Sequence, residues 1–118
     1  MEYNQAVSYL ISNFPQYQKF GIEGYKPYPC RMLSLLDWLG NPQNTFPSIH
    51  IAGTNGKGSV AHMLAAIFQC AGLRTGLYTS PHLIDFRERI QVNGQMIPHE
   101  EVVSFIKAFK EEKMQKLK

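Results

Sequence analysis

The stretch Gly53-Thr54-Asn55-Gly56-Lys57-Gly58-Ser59 constrains the fold more than any other, because it separates two different hydrophobic periods. Upstream, Ser48-Ile49-His50-Ile51-Ala52 is short, partly β-branched and bounded by Pro47 and Gly53, which predicts a buried strand of a parallel sheet. Downstream, Val60, Met63, Leu64, Ile67 and Phe68 recur at helical spacing, with Gly72 placed to end the helix in a left-handed conformation. Arg74 to Thr79 then predicts a second strand. Strand, helix and strand in this order specify an α/β fold with a right-handed crossover.

The flanking segments fill out that frame. Val7, Leu10, Ile11 and Phe14 form one stripe of a first helix that Pro15 ends, and Met32, Leu33, Leu35, Leu36 and Leu39 form a second, closed by Gly40-Asn41-Pro42. Between them, residues 16–29 are rich in glycine, proline and aromatics, the chemistry of a loop able to face a ligand. Ser80-Pro81-His82 opens an irregular stretch at the carboxyl end of the second predicted strand, where ligands gather in open α/β sheets. Asn93-Gly94, between Arg89–Val92 and Gln95–Ile97, predicts a two-residue type I′ hairpin. Pro98 and Glu100-Glu101 begin a last helix with Val102, Val103, Ile106 and Phe109 on its apolar face.

Bulk properties narrow the classes. The 118 residues fit one small domain; 44% are hydrophobic and 18% charged, ordinary for a water-soluble protein. No apolar run approaches the ~18 residues needed to span a bilayer, and the N-terminus lacks the pattern of a signal peptide, so a cytoplasmic location and no membrane association are expected. Cys30 and Cys70 are far apart and are expected as small packed hydrophobes. The net charge of +3 concentrates near the C-terminus, where Lys107, Lys110, Lys113, Lys116 and Lys118 interleave with Glu111 and Glu112 as a solvated helix face. Nucleic acid is not an expected partner, since no stacking aromatics alternate with the basic residues.

A glycine-rich turn entering a helix points several amides into one concavity, and the helix N-terminus adds partial positive charge, so phosphate is the natural guest. The glycines allow close backbone approach, Lys57 reaches the outer phosphates and the Ser59 hydroxyl is placed for Mg²⁺. The spacing departs from the common Walker pattern: two residues, not four, separate Gly53 from Gly56-Lys57, and Gly58 precedes Ser59. A cation in the first turn opposes the helix dipole, which argues for a compensating anion rather than an empty cap.

Ile51-Ala52-Gly53-Thr54-Asn55-Gly56-Lys57-Gly58-Ser59, followed by Tyr78-Thr79-Ser80-Pro81-His82-Leu83 and then Glu88-Arg89-Ile90, resembles the opening of the folylpolyglutamate synthase and dihydrofolate synthase family of the Mur ligase superfamily. The resemblance implies that residues 1–118 are the N-terminal part of a P-loop ATP-binding domain with a parallel sheet, two N-terminal helices and a β-hairpin. The remainder of that domain and a C-terminal glutamate-ligase domain would lie beyond Lys118, and these residues alone would be inactive. It implies an ATP-dependent ligase, a monomer, that joins L-glutamate to the terminal carboxylate of a folate through an acyl phosphate. Action on dihydropteroate is left open.

By the same resemblance, Gly53, Thr54, Asn55, Gly56, Lys57, Gly58 and Ser59 would hold ATP, with Lys57 catalytic on the transferring group, and Ser59 and Ser80 would be Mg²⁺ ligands. Phe20, Gly21, Ile22, Pro81 and His82 would meet the folate. His82 is otherwise expected to organise its loop, and His50, His62 and His99 to be structural or exposed. Asp85, Arg87, Glu88 and Arg89 read either as an ion-paired loop wall or as part of a site. The rival readings are another Mur-type amide ligase and a non-catalytic nucleotide-binding module.

Overall fold

The computed structural model describes residues 1–13 and 29–116, the side chains of 29–31 and 113–116 excepted; the aromatic stretch, with Phe20, Gly21 and Ile22, lies outside the described residues. The chain divides into two compact units, Phe14–His50 and the remainder.

In the larger unit, α1 (Tyr3–Asn13) and the last helix, here α4 (His99–Lys116), enclose the core. Ala6, Val102 and Ile106 are buried there, at 0%, 5% and 1% exposure, with Tyr3, Tyr9, Leu10, Ile97 and Val103 packed around them. The expected face of α4 is thus correct. On α1 the buried line runs through Tyr3, Ala6 and Leu10, while Ile11 is 43% exposed.

Helix α3 (Lys57–Cys70) follows the glycine-rich turn. It ends as expected: Gly72 takes φ 84°, and the Leu73 N–H donates to Phe68 O at 3.0 Å, a Schellman closure. The buried position is Ala65, whereas Val60, Met63 and Ile67 are 45%, 65% and 60% exposed. Cys70 is also exposed, contrary to the packed thiol expected.

The sheet corrects the sequence reading. Strands β1 (Gly76–Tyr78), β2 (Ile90–Val92) and β3 (Gln95–Met96) form one antiparallel sheet in the order β1-β2-β3. Gly76 pairs with Val92 and Tyr78 with Ile90, and Gln91 pairs with Met96. The parallel strand expected over 48–52 is not formed, and no parallel pair exists among the described residues. A strand is defined by a hydrogen-bonded neighbour; β1 pairs with β2 on one side, and among the described residues nothing pairs with its other edge. The hairpin itself is as predicted: Asn93 and Gly94 take φ 51° and 78°, the pair of left-handed residues a type I′ turn requires.

The smaller unit contains α2 (Pro29–Trp38) and a 3₁₀ turn at Pro42–Asn44. Gly40 and Asn41 are both left-handed, and the Asn41 N–H closes on Leu36 O at 2.7 Å, so the expected stop signal acts as read. Among the described residues, no helix is long and apolar enough to cross a membrane.

Candidate functional site

The turn before α3 is built as an open cap. Gly56 is the N-cap residue at φ 75°, ψ 2°, with no side-chain hydrogen bond to the helix and no acidic residue in the first turn. A Cβ at Gly56 or Gly58 would meet nothing within 4 Å, so the backbone there faces open space. Gly53, Thr54, Asn55, Lys57 and Ser59 are exposed. Helix N-termini leave amide donors without intrahelical partners and carry about half a positive charge. Here neither a capping side chain nor a carboxylate of the first turn answers them, and Lys57 adds a full cation.

The second cluster lies where β1 ends. Helix α3 packs against β1, and the chain leaves β1 through Thr79 into exposed Ser80 and Pro81, joined by a cis peptide bond. The loop that follows is organised by charged side chains. Asp85 caps the 3₁₀ turn Phe86–Arg89: its side chain accepts from Arg87 N–H, while Glu88 reaches back to the Asp85 N–H at 2.6 Å, a reciprocal capping box. Glu88 also accepts from the amides of Leu83 and Ile84, at 3.0 and 2.9 Å. Those three backbone bonds hold the Glu88 carboxyl below its ordinary pKa.

Asp85 is tied outward as well. The Tyr3 hydroxyl donates to its Oδ1 at 2.5 Å, and the Arg87 guanidinium pairs with Oδ2 at 3.1 Å. Tyr3, then the Arg87 amide and guanidinium, push the Asp85 carboxyl far below the usual carboxylate range. Burial, and then the bond to Asp85, push the Tyr3 phenol up, so it remains the donor at neutral pH. Arg87 also donates to Ile97 O at 3.3 Å and lies over the Tyr3 ring at 5.8 Å, and Tyr3 stacks on His99 at 4.1 Å. The amino end, the loop and the start of α4 therefore meet in one latch.

Asp85, Arg87, Glu88 and Arg89 form a loop scaffold, in which Asp85 and Arg87 are ion-paired and Glu88 binds backbone amides. Arg89 Nε–H donates to His82 Nδ1 at 2.7 Å and stacks over Phe86 at 5.4 Å, which places His82 in the loop's framework, as its structural reading held. His50, His62 and His99 are exposed. Sequence reasoning missed Tyr3, whose partner is 82 positions away. It also missed the capping box, although Asp85 followed three residues later by Glu88 is a readable signal for one. The loop at 53–59 and the loop at 80–89 belong to the same unit, with no hydrogen bond between them. Among the described residues, a groove of about 970 Å³ lined by Leu10, Ile90, Met96 and Phe105 reaches the second loop at Phe86, and a concavity of about 420 Å³ lies apart from both loops at Gln69, Leu73, Arg74 and Asn93.

No protein-family model matches the sequence. Individual relatives do. The folylpolyglutamate synthase of Lacticaseibacillus casei is 42% identical over 106 residues, 90% of this chain and 23% of that protein. The dihydrofolate synthase/folylpolyglutamate synthase of Bacillus subtilis is 42% identical over 92 residues, 78% of this chain and 21% of that protein. Among solved structures, folylpolyglutamate synthetase from Lactobacillus casei superposes with a TM-score of 0.80 at 39% identity, over 98% of this chain and 28% of that one. An FPGS–AMPPCP–folate complex does so with a TM-score of 0.78 at 40% identity, over 99% of this chain and 28% of that one. Spanning about a quarter of the length of these relatives and matched to them in both sequence and fold, the chain belongs to the folylpolyglutamate synthase/dihydrofolate synthase family.

Proposed function

We propose that this chain is the phosphate-binding opening of an ATP-dependent ligase that adds L-glutamate to the terminal carboxylate of a folate. The observation that carries the reading is the start of α3, where a left-handed Gly56, an absent side-chain cap and an exposed Lys57 leave positive potential without an internal anion. Relatives named as folylpolyglutamate synthases, one of them solved with AMPPCP and folate, support the choice of substrates.

In the first half-reaction, an oxygen of the folate carboxylate attacks the terminal phosphorus of ATP and ADP leaves, giving an acyl phosphate. In the second, the glutamate amine attacks the acyl carbon, phosphate departs and the nitrogen loses a proton to leave an amide. Phosphoryl transfer asks mainly for positioning and charge neutralisation. The amides of Gly53–Ser59 orient the phosphates, and Lys57 offsets charge on the group in transit. Ser59 and Ser80 offer exposed hydroxyl oxygens, the donor type that Mg²⁺ accepts. Among the described residues no cluster of three or more His, Cys, Asp or Glu is present, so the fit needs phosphate oxygens and water to complete the shell. Bound there, the ion would neutralise phosphate charge. Pro81 and His82 stand in the loop that walls the folate side, as Phe20, Gly21 and Ile22 would from the aromatic stretch. In this reading residues 1–118 are the first part of the ATP-binding domain and do not complete the reaction alone.

The test is ATP-dependent addition of glutamate to tetrahydrofolate or dihydropteroate by the full-length protein. No turnover with either acceptor overturns the folate reading; ligation of a different acid would favour another Mur-type amide ligase, and nucleotide binding without any turnover a non-catalytic module. Lys57→Ala is expected to slow turnover by about 100-fold or more, the scale of removing one preorganised electrostatic donor.

A further inference from the structure

Packing does not hold the loop after Ser80. Leu83 and Ile84 are 90% and 92% exposed, so their side chains contribute no burial to fix the backbone that carries them. Beyond the ties of the Asp85 side chain to Tyr3 and Arg87, what fixes that backbone is one carboxylate. Glu88 Oε1 accepts from the Leu83 amide, and its Oε2 accepts from the amides of Ile84 and Asp85. The far side is held separately, by Arg89 on His82 and by the Thr79 N–H on Arg89 O at 3.0 Å. Three consecutive amides thus depend on a single side chain that stands three to five residues away.

We propose that Glu88 is a positioning residue, whose carboxylate sets the conformation of residues 83–85 before any ligand arrives. The proposal rests on the reading above, in which this loop walls the folate side. A loop already ordered loses little freedom when its substrate binds, and that saving appears as affinity. Glu88 does not touch the reacting atoms; it acts through the backbone of 83–85. Removing it therefore weakens capture of the folate acceptor and leaves the ATP side alone.

The experiment compares wild type, Glu88→Gln and Glu88→Ala in the full-length protein by amide hydrogen exchange and by steady-state kinetics. Gln keeps the shape but only one acceptor oxygen, so it separates loss of the clasp from gross unfolding. Expected are faster exchange at the 83–85 amides by about 10-fold or more, no change in the β2–β3 hairpin, and a KM for the folate acceptor raised about 10-fold with KM for ATP and kcat within about 2-fold. Glu88→Gln should fall between wild type and Glu88→Ala on both readouts. Unchanged exchange at 83–85 overturns the clasp; faster exchange with an unchanged acceptor KM overturns its positioning role. Failure of the wild type to use any folate overturns the functional reading and the role with it, which distinguishes that case from an active wild type whose variants behave normally.

Discussion

Tyr3→Phe deletes one oxygen atom and isolates the bond between the amino-terminal helix and the loop at Asp85. The bond is short, 2.5 Å, and its acceptor is a carboxylate. Hydrogen bonds to charged groups contribute about 1.5–3 kcal/mol. Because 26% of the Asp85 side chain is exposed, water takes over part of the lost bond, and a cost of about 1 kcal/mol is expected. For a domain near 100 residues that corresponds to a fall in Tm of about 4–8 °C. The ring stays, so its stacking on His99 is retained and the substitution leaves no cavity.

The pH dependence supplies a second check. Asp85 has a depressed pKa in the folded state, so its contribution is complete above the unfolded carboxylate value of about 4 and is lost as pH falls toward the folded value. Tyr3→Phe removes the largest cause of that depression. The variant therefore has less to lose in acid, and the stability gap between it and wild type should shrink steadily below about pH 4. Urea melts at pH 7 and across the acid limb read both quantities. Equal stability at pH 7, or a gap that stays constant into acid, would refute the latch.

Three further substitutions probe the frame around the site. Ile106→Ala empties the largest fully buried side chain between α1 and α4 and should destabilise by about 3 kcal/mol, whereas Ile84→Ala, at 92% exposure, should change the melt by less than about 0.5 kcal/mol; thermal denaturation compares them directly. Gly56→Ala meets no neighbour, so its cost is conformational, about 1–2 kcal/mol for forcing a side chain into the left-handed region; calorimetric titration should show nucleotide affinity falling with it, and undiminished affinity would argue that Gly56 need not hold this conformation.

The helices were legible because their signals are local. Helical spacing from Val102 to Phe109, the Gly72 stop and the Asn93-Gly94 turn all depend on neighbours within a few residues. The sheet was not, because pairing is a contest between distant partners: of the strand expected over 74–79 only Gly76–Tyr78 forms, and nothing local tells Leu77 to pair with Gln91 in the antiparallel sense. At the candidate site the glycine-rich turn was readable for the same local reason, as a strand-bounded run before a helical stripe, although the strand itself did not form. Asp85 and Glu88 were visible as charges, yet their task is to hold backbone amides, and a charge pattern does not disclose which amides fold back within reach. Tyr3 carried no local signal at all.

The bond from Arg89 to His82 also decides which way the imidazole can work. A guanidinium has only hydrogens to give, so Nδ1 must offer its lone pair, and the ring proton of the neutral imidazole resides on Nε2. His82 thereby keeps a donor, and no acceptor, at its remaining ring nitrogen. Such a ring is suited to steady an oxygen, a carbonyl or a carboxylate, and unsuited to take up a proton until Arg89 lets go.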